Sequence, residues 1–126
     1  MAVNQSGKIL FNGAAITATT NYVYNAAESS AATSGWIDVD GYNNILVQVC
    51  VATLTASALT YRIEGKWQPM GRAAEIYTEE VTATQLIDEL IEVSELVASI
   101  RIGVKSEETD ATPNNFHAGV IMTEMF

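Results

Sequence analysis

The sequence predicts an all-β domain, an antiparallel β-sandwich or jelly roll with an extended N-terminal arm. Three observations predict it. Apolar residues recur at every second position, most clearly at Ile45, Val47, Val49 and Val51, which puts all four on one face of a strand. These segments are short and are separated by clusters of Gly, Pro, Asn, Asp, Ser and Thr, residues that bend the chain or satisfy it locally. The alternation sets apolar against polar residues, as in antiparallel sheets that each keep one wet face. Two such sheets packed face to face make a sandwich.

Residues 1–34 are rich in Ala, Thr, Ser, Asn and Gly, with short apolar clusters at Ile9-Leu10-Phe11, Ile16 and Tyr22-Val23-Tyr24. They are expected to form one or two short strands and an arm that a partner surface orders in part. Glu28 to Gly35 reads as a loop. Residues 35–126 are expected to be the sandwich. Trp36-Ile37-Asp38-Val39 alternates, and Asp40-Gly41 signals a turn. Ile45 to Val51 follows as a strand, with Leu46, Gln48, Cys50 and Ala52 on its other face. Thr53 to Ser57 is a polar turn, and Leu59 to Glu64 is a strand with Leu59, Tyr61 and Ile63 inward.

Gly65 to Gly71 reads as a loop bracketed by glycine and broken by Pro69, and Ala74 to Thr78 as a strand running on toward Val81. Residues 84–98 fit two patterns. Leu86, Leu90, Val93 and Val97 have helical spacing, with Thr82 and Gln85 as a capping box. The strand alternative runs through Leu90 to Val93, turns at Ser94-Glu95 and starts again near Ala98. The strand is preferred because the flanking segments need sheet partners. Ile100, Ile102 and Val104 alternate, Glu107 to Asn115 is an acidic surface turn, and Phe116 to Phe126 is a last strand with Phe116, Ala118, Val120 and Met122 on one face.

The length of 126 residues fits one domain and can bury a core without covalent staples. Six Lys and Arg against 15 Asp and Glu give a net charge of −9. That balance repels phosphate backbones and anionic lipid, so neither nucleic acid nor membrane is expected as a partner. Cys50 is the only cysteine, so no internal disulfide or thiolate metal cluster is expected. Its place in an apolar run suggests a small buried hydrophobe. Met1 to Lys8 is polar and unlike a signal peptide, and no apolar stretch is long enough to span a bilayer. Synthesis in a host cytoplasm is the expectation.

The order Ser34-Gly35-Trp36-Ile37-Asp38-Val39-Asp40-Gly41-Tyr42, then Tyr61-Arg62-Ile63-Glu64-Gly65, then Ala98-Ser99-Ile100-Arg101-Ile102-Gly103-Val104 resembles small β-sandwich virion proteins of tailed bacteriophages. These are capsid decoration (cement) proteins and head or tail accessory proteins. The resemblance covers about residues 34–126 and is one of pattern rather than of a diagnostic motif. It implies a non-enzymatic homo-oligomer, a trimer by preference, that locks a major capsid or other virion protein in place. It implies no catalytic residue and no cofactor.

The candidate sites divide accordingly. His117, the only histidine, has no visible nucleophile or further zinc ligands, and reads as an exposed or interface residue. Asp38, Asp40, Asn43 and Asn44 are oxygen-rich but miss the calcium-loop spacing, so they read as turn residues. Glu107, Glu108 and Asp110 read as a solvated loop, and Glu79, Glu80, Glu89 and Glu92 as surface carboxylates rather than a glycosidase pair. Arg62, Arg101 and Lys105 alternate outward and are expected to pair across strands with residues such as Glu64. Trp67, with Lys66, Met70 and Arg72 around it, is the leading interface candidate, and Tyr22 and Tyr24 join it from the arm. No metal site is expected.

The expected function is that of a capsid decoration protein in a virion, binding and stabilising the shell in many copies. The alternatives are a carbohydrate- or receptor-binding fibre or spike domain, and a head–tail connector or tail-tube protein.

Overall fold

The computed structural model describes residues 3–24, 35–67, 72–94 and 97–125. Among them run nine strands: β1 (Val3–Ala14), β2 (Val23–Tyr24), β3 (Ile37–Asp38), β4 (Asn44–Val51), β5 (Ala58–Lys66), β6 (Ala73–Thr82), β7 (Ile87–Glu92), β8 (Ser99–Ser106) and β9 (Phe116–Met125). They form two antiparallel sheets. The first has the order β1-β9-β4-β7, and the second β2-β8-β5-β6, with β3 also paired to β8. The protein is a β-sandwich.

Alternation builds the core. Val47, Val49 and Val51 of β4 and Phe116, Ala118, Val120 and Met122 of β9 are buried from the first sheet. Leu59, Tyr61 and Ile63 of β5 and Ile100, Ile102 and Val104 of β8 meet them from the second. Each large side chain of this kind contributes about 1.5–3 kcal/mol when fully buried. Phe116 sits at the centre, edge-on to Phe11 at a centroid distance of 5.0 Å and tilted against Tyr61 at 6.3 Å.

Several expectations are corrected. The described part of the first segment is not an arm awaiting a partner. β1 pairs with β9 from Val3 opposite Met125 to Ala14 opposite Phe116. A bulge between Ile9 and Phe11 turns Leu10 and Phe11, neighbours in sequence, both into the core, and Ile16 follows them. The domain therefore includes residues on both sides of the expected boundary at 34; the Glu28–Ser34 part of the expected loop lies outside the described residues. Gly65 and Lys66 are not loop but the end of β5, paired with Ala74 and Ala73. Cys50 is half-buried on the outer face of its sheet, opposite His117 and Asp88, rather than in the core.

The strand reading of residues 84–98 holds among the described residues: β7 lies beside β4, from Leu46 opposite Glu92 to Val51 opposite Ile87, while Glu95 of the expected turn lies outside them. Thr82 accepts a backbone bond from Gln85 in the turn before it rather than capping a helix. The chain crosses between sheets at both margins, from β1 to β2 on one side and from β6 to β7 on the other.

Candidate interaction surfaces

The outer face of the second sheet gathers four of the basic residues. Arg62, Lys66, Arg101 and Lys105 alternate with the inward residues of β5 and β8. Aromatic rings from the neighbouring segment lie against them. Arg62 and Lys105 stand over Tyr22 at 3.9 and 4.8 Å, Arg101 over Tyr24 at 3.7 Å and Trp36 at 4.5 Å, and Lys66 over Trp36 at 4.6 Å. Gly103 makes room for this: a Cβ there would lie 2.6 Å from Tyr24 Cε1 and 3.2 Å from Tyr22 Cβ.

Beneath the rings, Glu64 is 4% exposed although it points outward. It accepts from Arg62 Nε at 3.0 Å, from Arg101 Nη2 at 3.2 Å and from the Tyr24 hydroxyl. Burial pushes its pKa up, but the hydrogen bonds from Tyr24 and Arg101 and the two guanidinium charges outweigh this and hold it below the ordinary value. The expected pairing of outward basic residues with Glu64 is thus present. Tyr22, Tyr24 and Lys66, expected at an interface with a partner, are placed against the chain's own sheet.

Trp67 follows β5 and is 55% exposed. It borders a hollow of about 370 Å³ with Val39, Gly41, Tyr42 and Val97. Arg72 is exposed nearby in sequence, and Met70 lies outside the described residues. The Asp38–Gly41 segment is a turn in which Asp40 N–H donates to Asp38 Oδ1 at 3.0 Å, the ordinary use of Asp at a bend.

The outer face of the first sheet is the surface that the sequence reading missed. Ile9 on β1, Leu46 on β4 and Leu90 on β7 are 50%, 36% and 64% exposed. The register aligns Ile9, Gly119, Gln48 and Leu90 in one row, and Gly7, Ile121, Leu46 and Glu92 in the next. A shallow hollow of about 380 Å³ opens over Gly119, walled by Ile9, Gln48, Cys50, Asp88 and His117. Gly119 keeps its floor low; a Cβ there would stand 3.1 Å from the Lys8 carbonyl oxygen. Asp88 and Glu92 give the face an acidic margin along β7. Lys8 pairs with inward-facing Val120, on the core side of the edge strand. The available signal was Leu46 and Leu90 at positions that alternation assigns to the wet side.

The acidic candidates separate. Glu107 and Glu108 are exposed and accept from Ser57. Asp110 is a correction: it is 0% exposed rather than solvated. Its carboxylate accepts from the Thr112 amide at 2.9 Å, the Thr55 amide at 3.3 Å, the Thr55 hydroxyl and Asn115 Nδ2 at 2.7 Å. Burial pushes the pKa up, and the hydrogen bonds from Thr112 and Thr55 more than reverse it. A depressed pKa contributes stability that is present above the unfolded value of about 3.9 and is lost as pH falls through the folded value. Asp110→Asn, which replaces one accepting oxygen with an NH2 group facing these donors, is expected to cost about 2–3 kcal/mol at pH 6 and less at pH 3, measured by urea unfolding. Glu80 and Glu92 are exposed. Glu79 and Glu89 are half-buried and both flank the Tyr61 hydroxyl, 2.9 and 3.3 Å from it.

No protein-family model matches the chain, and no curated protein matches it in sequence. Among solved structures, the globular domain of zebrafish complement 1qA protein is similar at 8% identity and a TM-score of 0.42, over 97% of this chain and 96% of that one.

Proposed function

We propose that this protein is a non-enzymatic virion protein of the capsid decoration type, which binds a phage shell through the outer face of its first sheet. The observation that carries this reading is the set of exposed apolar side chains Ile9, Leu46 and Leu90, spread over two adjacent rows of one face, beside the acidic margin of Asp88 and Glu92. An apolar centre with a charged rim is the anatomy of a protein interface. The rim chemistry specifies the partner: a shell protein whose matching patch is apolar and bordered by Lys or Arg. A second copy docked face to face would set acid against acid, in a chain whose net charge is −9. The sequence resemblance to tailed-phage accessory proteins supports the virion reading, and the β-sandwich architecture fits it. A small homo-oligomer, a trimer by preference, would present several such faces and add their affinities.

The test is co-sedimentation with tailed-phage heads assembled without a decoration protein. Wild-type protein is expected to sediment with the heads, less so as salt rises. Leu90→Glu is expected to weaken binding at least tenfold with little change in melting temperature, because that side chain is 64% exposed. Trp67→Ala is the contrast. Loss of binding with Trp67→Ala and retention with Leu90→Glu would move the contact to the Trp67 hollow, and absence of wild-type binding would overturn the reading.

A further inference from the structure

Glu79 on β6 and Glu89 on β7 lie on the margin strands of different sheets. Glu79 pairs with inward Tyr61 and Glu89 with inward Val49, so both carboxyl groups lie on the core side of their sheets. The Tyr61 ring is buried, and its hydroxyl reaches between them, 2.9 Å from Glu79 Oε2 and 3.3 Å from Glu89 Oε2. The Tyr77 hydroxyl is 2.9 Å from the same Glu79 oxygen. The groups facing the pair are thus Tyr61 from β5 and Tyr77 from β6, with Glu89 supplied by β7.

Counting protons constrains the state of the pair. Each phenol carries one proton, and the two shortest contacts spend both on Glu79 Oε2. An ionised carboxylate can only accept. The approach of Glu89 Oε2 to the Tyr61 oxygen is then a full hydrogen bond only if Glu89 carries a further proton. We propose that Glu79 and Glu89 share one proton and so form a pH-sensitive clasp that ties the β6 margin of one sheet to the β7 margin of the other.

The two environments pull the members apart. Burial and the bond to Glu79 raise the pKa of Glu89. At Glu79 burial acts the same way, but the bonds from Glu89, Tyr61 and Tyr77 outweigh it and lower the pKa. The pair therefore titrates in two separated steps. Glu89 contributes stability that is full below the unfolded value of about 4.3 and is lost as pH rises through its raised folded value. Glu79 contributes stability that is lost as pH falls through its depressed value. The clasp is closed between the two steps. Above the upper one, two carboxylates face each other and the margin loosens.

The experiment is the melting temperature of the full chain from pH 4.5 to 8, with Glu89→Gln and Glu92→Gln beside the wild type. The glutamine at 89 keeps a donor toward Glu79 and cannot ionise. Wild type is expected to lose about 5 °C over this range, and Glu89→Gln to stay nearly flat. Glu92→Gln removes an equal charge from an exposed position on the same strand and is expected to keep the wild-type slope. Equal slopes in wild type and Glu89→Gln, or equal flattening by Glu92→Gln, would overturn the proposal. Carboxyl NMR titration of the wild type gives a reading that needs no variant: two separated steps for Glu79 and Glu89 support the clasp, and two steps at the ordinary glutamate value sink it.

Discussion

Removing residues 1–14 is expected to leave a chain that does not fold. The loss has two parts. Leu10 and Phe11 leave the core, taking about 3–6 kcal/mol of apolar burial with them. The whole outer edge of β9, paired to β1 from Phe116 to Met125, is left with unmatched backbone groups. A domain of this length has a stability of roughly 6–19 kcal/mol in all, so the deletion removes much or all of it. Near-ultraviolet circular dichroism and one-dimensional NMR of the shortened chain check this. A dispersed, cooperatively melting spectrum would show that β1 is dispensable and that the segment behaves as an arm after all.

Phe116→Ala is expected to be the most damaging single substitution in the core, at about 3–5 kcal/mol. Phe116 is fully buried and touches an aromatic ring from each sheet, Phe11 from the first and Tyr61 from the second. The cavity left by its ring would be lined by groups held in two rigid ladders, which limits collapse. Phe116→Leu fills most of that space and is expected to cost markedly less. Chemical denaturation of both variants measures the difference; equal costs would mean that shape at this position does not matter.

The sandwich was legible because its central strands obey a period of two. Val47, Val49, Tyr61, Ile63, Ile102 and Val120 were placed correctly by alternation. β1 was not legible, for a physical reason. Its bulge breaks the alternation at Leu10 and Phe11, and its partner is the last described strand in the sequence, which local composition cannot reveal. The surfaces were less legible still. Tyr22 and Tyr24 looked like partner-binding residues because nothing local shows that Gly103 leaves them a seat. Asp110 looked solvated because its donors include Thr55, far away in the chain. Glu79 and Glu89 meet because their strands border facing margins, a property of topology rather than of either segment. Leu90 was read as part of a strand, but its exposure depends on β7 having one neighbour, not two.

The pairing of β1 with β9 also governs when this protein can become itself. β1 is made first and β9 last among the described strands, and each is the other's neighbour in the ladder. While translation proceeds, β1 has no place to dock, and β4 lacks the strand that separates it from β1. The sheet closes only after β9 leaves the ribosome, so native structure arrives late and through contacts of long sequence separation. In the interval the nascent chain displays open edges and apolar strands, the species that chaperones hold and that crowding drives to aggregate. The net charge of −9 over these residues, already largely present before β9 is made, keeps such chains apart while they wait.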